Sequence, residues 1–217
     1  MPATNENTKQ IKSRQRVTDH GEVFTNPREV NAMLDLVRDE SFRLDSRFLE
    51  PACGDGNFLI EILRRKLSLL QSVKSTIEWE FKSLIAVGSC YGIDILADNA
   101  DACRERLFGE VVGQIGKKDT TGGYKESLRY MLQRNIVCGD ALTYRTAEGK
   151  PITFSEWTPI AGSMQFARRD FQFDFLVTQS HQYSLFDEHG EAQNFDEPVR
   201  AYPPLHYTQL YKYEEQL

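Results

Sequence analysis

Hydrophobic and polar positions follow two different periods along this chain. Between Pro27 and Gln133, apolar residues recur at the three- and four-residue spacing of amphipathic helices, and the short apolar runs between them are typical of buried strands. This pattern predicts helices near residues 27–37, 57–70, 75–87, 97–112 and 125–133, with strands at 48–50, 90–95 and 135–138. From Pro151 the period shortens to two, which predicts a β-hairpin over residues 150–173.

The alternation of helices with strands predicts an α/β fold. Such an order is typical of a doubly wound sheet of parallel strands, with helices on both faces and the ligand at the carboxyl ends of the strands. We expect one domain over residues 17–217, which is long enough to bury a core. Residues 1–16 are polar and carry four basic side chains, which predicts a flexible arm. Beyond Ser184 the sequence turns acidic, which predicts an irregular tail.

Composition limits the classes of function. The net charge of −6 and the pI near 5.3 argue against a broadly basic nucleic-acid binder. A local basic face can still bind DNA in a protein that is acidic as a whole. No apolar run approaches the length of a membrane span, and the N-terminal residues do not resemble a signal peptide. The four cysteines form no C-x-x-C pair, which favours buried free thiols over zinc or disulfides. We therefore expect a cytoplasmic protein with no membrane partner and no metal site.

The most informative segment is LEPACGDGNFL, residues 49–59. Glu50 would end a strand, and Gly54 and Gly56 would permit a tight turn with close approach of a ligand. A helix beginning near Asn57 would offer free backbone N–H groups beside that ligand. The spacing differs from G-x-G-x-x-G, so a dinucleotide is not the expected ligand. An ordinary strand–turn–helix junction would need the same glycines, and that alternative stays open.

Four segments resemble the cofactor motifs of the S-adenosylmethionine-dependent DNA adenine-N6 methyltransferases. Residues 49–59 resemble motif I, and GEVFTNP at 21–27 resembles motif X of the group in which that motif comes first. YGIDI at 91–95 resembles motif II, and NIVCGDAL at 135–142 resembles motif III. The resemblance implies a Rossmann-like methyltransferase core that binds S-adenosylmethionine.

The resemblance also implies roles for individual residues. Phe24 and Thr25 would border the methionine end of the cofactor, and Asp94 would accept from the ribose hydroxyls. Asp140 would accept from the adenine amino group, and the backbone of Ala141 would meet the ring edge. Thr25 in a helix start and Asp94 as a helix cap are the ordinary alternatives. The full predicted cofactor set is Phe24, Thr25, Glu50, Ala52, Gly54, Gly56, Phe58, Asp94, Ile95, Asp140 and Ala141.

The segment expected to bind the methyl acceptor departs from the family pattern. Enzymes that methylate adenine N6 carry [Asn/Asp/Ser]-Pro-Pro-[Tyr/Phe] after the fourth strand, where the polar group accepts from the amino group and the aromatic ring stacks on a flipped base. Here the matching strand at 173–177 runs into TQSHQY, residues 178–183, without either proline. Gln179 could still accept an amino hydrogen, and His181 or Tyr183 could stack on a base. These three are the predicted catalytic residues.

Two further features have simple interpretations. The Tyr202-Pro203-Pro204 triplet follows an acidic loop and no predicted strand, so we expect a surface turn rather than a substitute for the missing motif. Arg168 and Arg169 in the hairpin could contact nucleic acid, but a solvated strand edge is the commoner arrangement.

Three functions follow from these observations. The first is methyl transfer to adenine N6 in DNA, without a metal, in a restriction–modification or phage-related system. The second is a catalytically inactive cofactor-binding or regulatory subunit, with a second protein subunit supplying target recognition. The third is a methyltransferase that acts on RNA, protein or a small molecule. The character of motifs X, I and II favours the first, and the missing prolines favour the other two.

Overall fold

The computed structural model describes residues 25–116, 119–174 and 198–216, together with residues 13, 15, 16 and 18. The helices are α1 (Pro27–Asp35), α2 (Arg38–Ser41), α3 (Asn57–Ser68), α4 (Thr76–Gly88), α5 (Ala97–Ile115) and α6 (Tyr124–Asn135). The strands are β1 (Phe48–Glu50), β2 (Cys90–Asp94), β3 (Ile136–Asp140), β4 (Arg145–Thr146), β5 (Thr153–Pro159), β6 (Gln165–Gln172) and β7 (Arg200–His206), and a 3₁₀ helix follows at Tyr207–Gln216.

Local start signals explain where two of the helices begin. The side chain of Asn26 accepts a hydrogen bond from Arg28 N at 2.9 Å, and Pro27 occupies the first turn of α1. Ser75 caps α4 by accepting from Glu78 N at 3.3 Å. The helices and strands predicted between residues 27 and 140 are all present, with ends shifted by a few residues.

A sheet in the order β1-β2-β3-β4 forms the first layer. β1 pairs with β2 and β2 pairs with β3 in parallel, in the registers Leu49↔Tyr91 and Ile93↔Val137, whereas β4 pairs antiparallel with β3. Helical crossovers join the parallel strands, as this arrangement requires. The α/β class is confirmed, with a mixed sheet in which three of the four strands are parallel.

The two faces of this sheet meet different partners. Cys90 and Ile136 belong to a core cluster with the apolar sides of the helices. Tyr91 and Ile93 point to the other face and pack against side chains such as Phe154 from the β5–β6 region. Among the described members of that second cluster, Phe173 is helical, although a strand was expected at residues 173–177, and Ile152 lies just before β5. Where we expected helices on both faces, the described chain packs mainly residues of the β5–β6 hairpin and of its flanking segments against one of them.

The second sheet has the order β5-β6-β7. The predicted hairpin is confirmed as the antiparallel pair β5–β6, with Thr153 opposite Gln172. Two expectations near the C-terminus are corrected. Tyr202-Pro203-Pro204 lies in β7 and is not a surface turn, and residues 200–216 form a strand and a 3₁₀ helix rather than an irregular tail. Prolines are tolerated there because β7 is an edge strand and pairs with β6 through an irregular register.

The burial of side chains decides the expectations for Arg168 and for the four cysteines. Arg168 does not lie at a solvated edge, because it is only 2% exposed and pairs with Asp170 at 2.7 Å. Cys53, Cys90 and Cys103 are buried free thiols as expected, whereas the free thiol of Cys138 is partly exposed. The helices of the described ranges include none with the length and apolar character needed to cross a membrane.

Candidate functional site

A crevice of about 500 Å³ lies at the carboxyl ends of β1, β2 and β3. Its position is the one where an α/β sheet ordinarily holds its ligand. The lining residues are Thr25, Glu50, Pro51, Ala52, Cys53, Gly54, Asn57, Phe58, Asp94, Ile95, Leu96, Asn99, Gly139, Asp140, Ala141 and Leu142.

The turn between β1 and α3 forms one wall. Gly54 and Gly56 both have positive φ, at 53° and 94°, which explains why glycine stands at these positions. A Cβ on Gly56 would lie 2.7 Å from the Sγ of Cys103 on α5, so this glycine permits close packing between the turn and α5. A hydrogen bond with Cys103 and burial together raise the pKa of the Cys53 thiol. The Cys53 thiol therefore stays neutral where the turn packs against α5.

Asp94 ties the ends of β1 and β2 together. Its Oδ2 accepts from Gly54 N at 2.9 Å, and its Oδ1 accepts from Leu96 N at 2.9 Å and from Asn99 Nδ2 at 3.2 Å. The capping alternative is thus present in the structure, since Leu96 immediately precedes α5. A carboxylate has about four acceptor positions, so about one remains for a ligand.

Two further carboxylates face the crevice in different environments. Glu50 ends β1 and is half-buried, and this burial raises the pKa of its carboxyl. Asp140 ends β3, and the N–H of Leu142, which donates to Oδ1 at 2.8 Å, lowers the pKa of its carboxyl. The crevice therefore presents acceptor groups at the end of every parallel strand.

Thr25 brings the segment before α1 to the same crevice. The carbonyl oxygen of Thr25 accepts from Asn57 Nδ2 at 3.2 Å, which links this segment to the first residue of α3. Arg106 holds the same asparagine from the other side, by donating to Asn57 Oδ1 at 3.0 Å. The segments that resemble motifs X and I therefore meet through one amide side chain.

The crevice brings together most of the predicted cofactor residues. Nine of the eleven line it: Thr25, Glu50, Ala52, Gly54, Phe58, Asp94, Ile95, Asp140 and Ala141. Gly56 does not line it and packs on Cys103 instead. Phe24 lies outside the described residues, and so do all three predicted catalytic residues, Gln179, His181 and Tyr183. Cofactor binding by the nine stays a prediction.

Several residues that contribute to the crevice or its surroundings were not identified from the sequence. Asn57 and Asn99 line the crevice, and each stands in the first turn of the helix after a strand end, which is the signal that could have identified them. Arg16, assigned to the flexible arm, pairs with Asp98 at 2.8 Å and donates to Asn99 Oδ1 at 3.2 Å. No sequence period indicates that contact, because more than 80 residues separate the partners.

The charge of the crevice restricts its ligand. Its described lining contains three carboxylates, Glu50, Asp94 and Asp140, and no lysine or arginine. A phosphate group normally needs basic side chains or several converging N–H groups, so nucleotides and dinucleotides are disfavoured here. A ligand with hydroxyl, amino or sulfonium groups matches this set of acceptors.

Comparisons with protein-family models, with curated proteins and with solved structures found no match to this chain. The ligand of the crevice is therefore inferred from its residues and from the resemblance of the four segments that form it.

Proposed function

We propose that this chain binds S-adenosylmethionine in the crevice and belongs functionally with the DNA adenine-N6 methyltransferases. One observation carries the proposal. The segments that resemble motifs X, I, II and III contribute Thr25, Glu50, Asp94 and Asp140 to a single crevice at the carboxyl ends of three parallel strands.

The cofactor and the crevice are complementary in charge. S-adenosylmethionine carries a sulfonium, an ammonium and one carboxylate, so its net charge is positive. Three carboxylates without a lysine or arginine among the described lining residues favour such a cation. The crevice volume of about 500 Å³ also falls in the range of small-molecule sites.

Each lining group has a corresponding part of the cofactor. Asp94 would accept from a ribose hydroxyl through its remaining acceptor position, and Asp140 would accept from the adenine amino group. Exposed Ile95 and Leu142 would cover the faces of the adenine ring. Glu50 would pair with the positive methionine end. The bound cofactor would supply an electrophilic methyl group on sulfur.

The acceptor is proposed from the resemblance alone, as adenine N6 in DNA. Gln179, His181 and Tyr183 would face it, and they lie outside the described residues. The sequence of residues 178–183 favours a second candidate function, because the two prolines of the family motif are missing. In that case the chain is a cofactor-binding subunit, and a second protein supplies recognition of DNA or catalysis.

Calorimetry with four ligands tests the proposal. S-adenosylmethionine and its demethylated product should bind, whereas ATP and NAD⁺ should not. Asp94→Ala should weaken binding of S-adenosylmethionine roughly ten- to hundredfold, because it removes charge-assisted hydrogen bonds worth about 1.5–3 kcal/mol. Asp101→Ala is the control for the loss of one negative charge near the site, since Asp101 lies on α5 outside the crevice and pairs with Arg104 at 2.5 Å.

Two results would contradict the proposal. One is the absence of binding by the folded chain with any co-purified partner present. The other is equal loss of affinity in the Asp94 and Asp101 variants, which would place the cofactor elsewhere.

A further inference from the structure

Arg16 connects the N-terminal part of the chain to the start of α5. Its guanidinium forms a forked pair with the Asp98 carboxylate, in which Nη1 donates to Oδ2 at 2.8 Å and Nη2 donates to Oδ1 at 3.1 Å. Nη2 also donates to Oδ1 of Asn99 at 3.2 Å. One side chain from outside the predicted domain therefore binds two successive residues in the first turn of α5.

Asn99 links Arg16 to the crevice carboxylate of Asp94. Asn99 is only 1% exposed, and its Nδ2 donates to Asp94 Oδ1 at 3.2 Å. A guanidinium only donates hydrogen bonds, and a carboxylate only accepts them. The Asn99 amide therefore satisfies both neighbours in a single orientation, with its oxygen towards Arg16 and its nitrogen towards Asp94.

The Asn99 amide completes a set of three donors around Asp94. The other two are the backbone N–H groups of Gly54 and Leu96, each at 2.9 Å. Three donors leave the carboxylate about one acceptor position and also fix the direction in which that position points. If the Asn99 amide turned or moved away, the carboxylate would keep its two backbone donors but would be free to rotate.

We propose that Arg16 is a positioning residue of the crevice, which acts through Asn99 to fix the direction in which Asp94 accepts from the ligand. This role rests on the proposed function for the identity of the ligand, a cofactor whose ribose hydroxyl would donate to Asp94. The chain of hydrogen bonds from Arg16 through Asn99 to Asp94 does not depend on that identity.

The charge of Arg16 distinguishes this role from a purely electrostatic effect. A positive side chain near the crevice repels the cationic S-adenosylmethionine, so its removal would strengthen binding if charge alone mattered. Removal of a positioning residue should weaken binding instead. Arg16→Ala should raise the Kd of S-adenosylmethionine and of its demethylated product about three- to tenfold each, as expected for one weakened hydrogen bond. Because the product lacks the sulfonium charge, equal losses for the two ligands indicate geometry rather than charge.

Two comparisons assign the effect to Asn99 and to the ribose. In an Asn99→Ala background, Arg16→Ala should cause no further loss of affinity, because the amide that links it to Asp94 is gone. An analogue of the demethylated product without the ribose hydroxyls should bind the unmodified chain and Arg16→Ala equally. Arg64→Ala is the control, since Arg64 pairs with Glu110 of α5 at 3.0 Å and neither residue lines the crevice. It removes one positive charge beside the same helix and should leave every affinity unchanged.

Hydrogen exchange measured by NMR tests the same chain of hydrogen bonds without a cofactor. The side-chain amide hydrogens of Asn99 should exchange with solvent about tenfold faster in Arg16→Ala than in the unmodified chain, and at an unchanged rate in Arg64→Ala. Arg16 belongs to neither apolar core cluster, so Arg16→Ala should remain folded.

Three results would overturn the role of Arg16. They are unchanged exchange of the Asn99 amide in Arg16→Ala, tighter binding of S-adenosylmethionine by that variant, and additive losses of affinity from Arg16→Ala and Asn99→Ala. Failure of the unmodified chain to bind either ligand would contradict the proposed function alone, and the exchange rates would then decide the role of Arg16.

Discussion

At the scale of single residues, Gly56 shows that a motif glycine can serve packing more than ligand approach. It combines a positive φ of 94° with a hypothetical Cβ only 2.7 Å from Cys103 Sγ. Gly56→Ala should therefore destabilise the fold by about 2–5 kcal/mol, the sum of left-handed strain and overpacking. Urea unfolding of the variant measures this loss.

Two controls separate strain from overpacking. Gly162 also has a positive φ, 74°, but a Cβ there would meet no atom within 4 Å, so Gly162→Ala should cost only about 1–2 kcal/mol. Adding Cys103→Ala to Gly56→Ala removes the clashing sulfur and should recover part of the loss. Equal destabilisation by Gly56→Ala and Gly162→Ala would show that the Cys103 side chain moves aside without a cost in stability.

Glu50 gives cofactor binding a dependence on pH. Burial raises the pKa of its carboxyl above the usual value of about 4.3, so Glu50 is partly protonated in mildly acidic solution. Asp140 remains ionised there, because its pKa is lowered. A cationic ligand prefers the Glu50 carboxylate, so affinity for S-adenosylmethionine should increase as pH rises through the Glu50 titration and then level off.

Glu50→Gln tests the assignment of this pH dependence. The variant should bind the cofactor more weakly at neutral pH and should show a flat profile across the mildly acidic range. Calorimetry of both proteins over that range gives the comparison. If the cofactor affinity of both proteins changed with pH in the same way, the titrating group would be a residue other than Glu50.

At the scale of elements, the β5–β6–β7 sheet is held by a buried ion pair. Arg168 and Asp170 form two hydrogen bonds, at 2.8 Å and 2.7 Å, and the guanidinium lies 4.3 Å from the ring centre of Tyr202 on β7. Asp170→Asn should destabilise the fold by about 3–5 kcal/mol, because it leaves a buried charge without a counter-ion. Chemical denaturation provides the measurement.

The neighbouring arginine supplies the control for this pair. The Arg169 side chain is 44% exposed and pairs with Glu156, so Arg169→Ala should cost at most about 1 kcal/mol. Similar losses in Asp170→Asn and Arg169→Ala would mean that water reaches the Arg168 pair.

These elements also show what the sequence can and cannot predict. Helices α1 and α4 were predictable because apolar spacing coincides with capping residues, Asn26 and Ser75, only a few positions away. The carboxyl ends of β1 to β3 were predictable to within two residues because the short apolar runs between the helices end near Glu50, Asp94 and Asp140, the three carboxylates of the crevice. Burial of Arg168 was not predictable, because its partners Tyr130 and Tyr202 are 72 residues apart in the sequence.

At the scale of the whole molecule, one hydrogen bond joins the C-terminal 3₁₀ helix to α4. The hydroxyl of Tyr207 donates to Glu80 Oε2 at 2.8 Å, and Thr121 N donates to Oε1 of the same buried carboxylate at 2.8 Å. Burial raises the pKa of Tyr207 to about 12. Stability should therefore be unaffected below about pH 10, where the unfolded tyrosine ionises, and should fall between about 10 and 12.

Tyr207→Phe isolates this contribution. The variant should lose about 1 kcal/mol at neutral pH, because Glu80 loses a donor, and its stability should fall less steeply between about pH 10 and 12. Denaturant titrations at a series of alkaline pH values measure the slope. An unchanged slope would assign alkaline unfolding to other tyrosines.

The overall charge and the sequence of residues 178–183 lead to the last prediction. The isolated chain should bind the cofactor without methylating DNA on its own. The net charge is −6, and acidic residues cluster between Asp187 and Glu197, so duplex phosphates should be repelled rather than held. Gln179 offers an acceptor for an adenine amino group, but no prolines follow it to fix its direction. S-adenosylmethionine should therefore bind while methyl transfer is absent or requires a second chain. Tritiated methyl incorporation into unmethylated bacterial DNA, with nucleoside mass spectrometry, measures the transfer with and without co-purified proteins. Strong N6-methyladenine formation by the chain alone, lost in Gln179→Ala, would show that TQSHQY forms a working acceptor site without the two prolines.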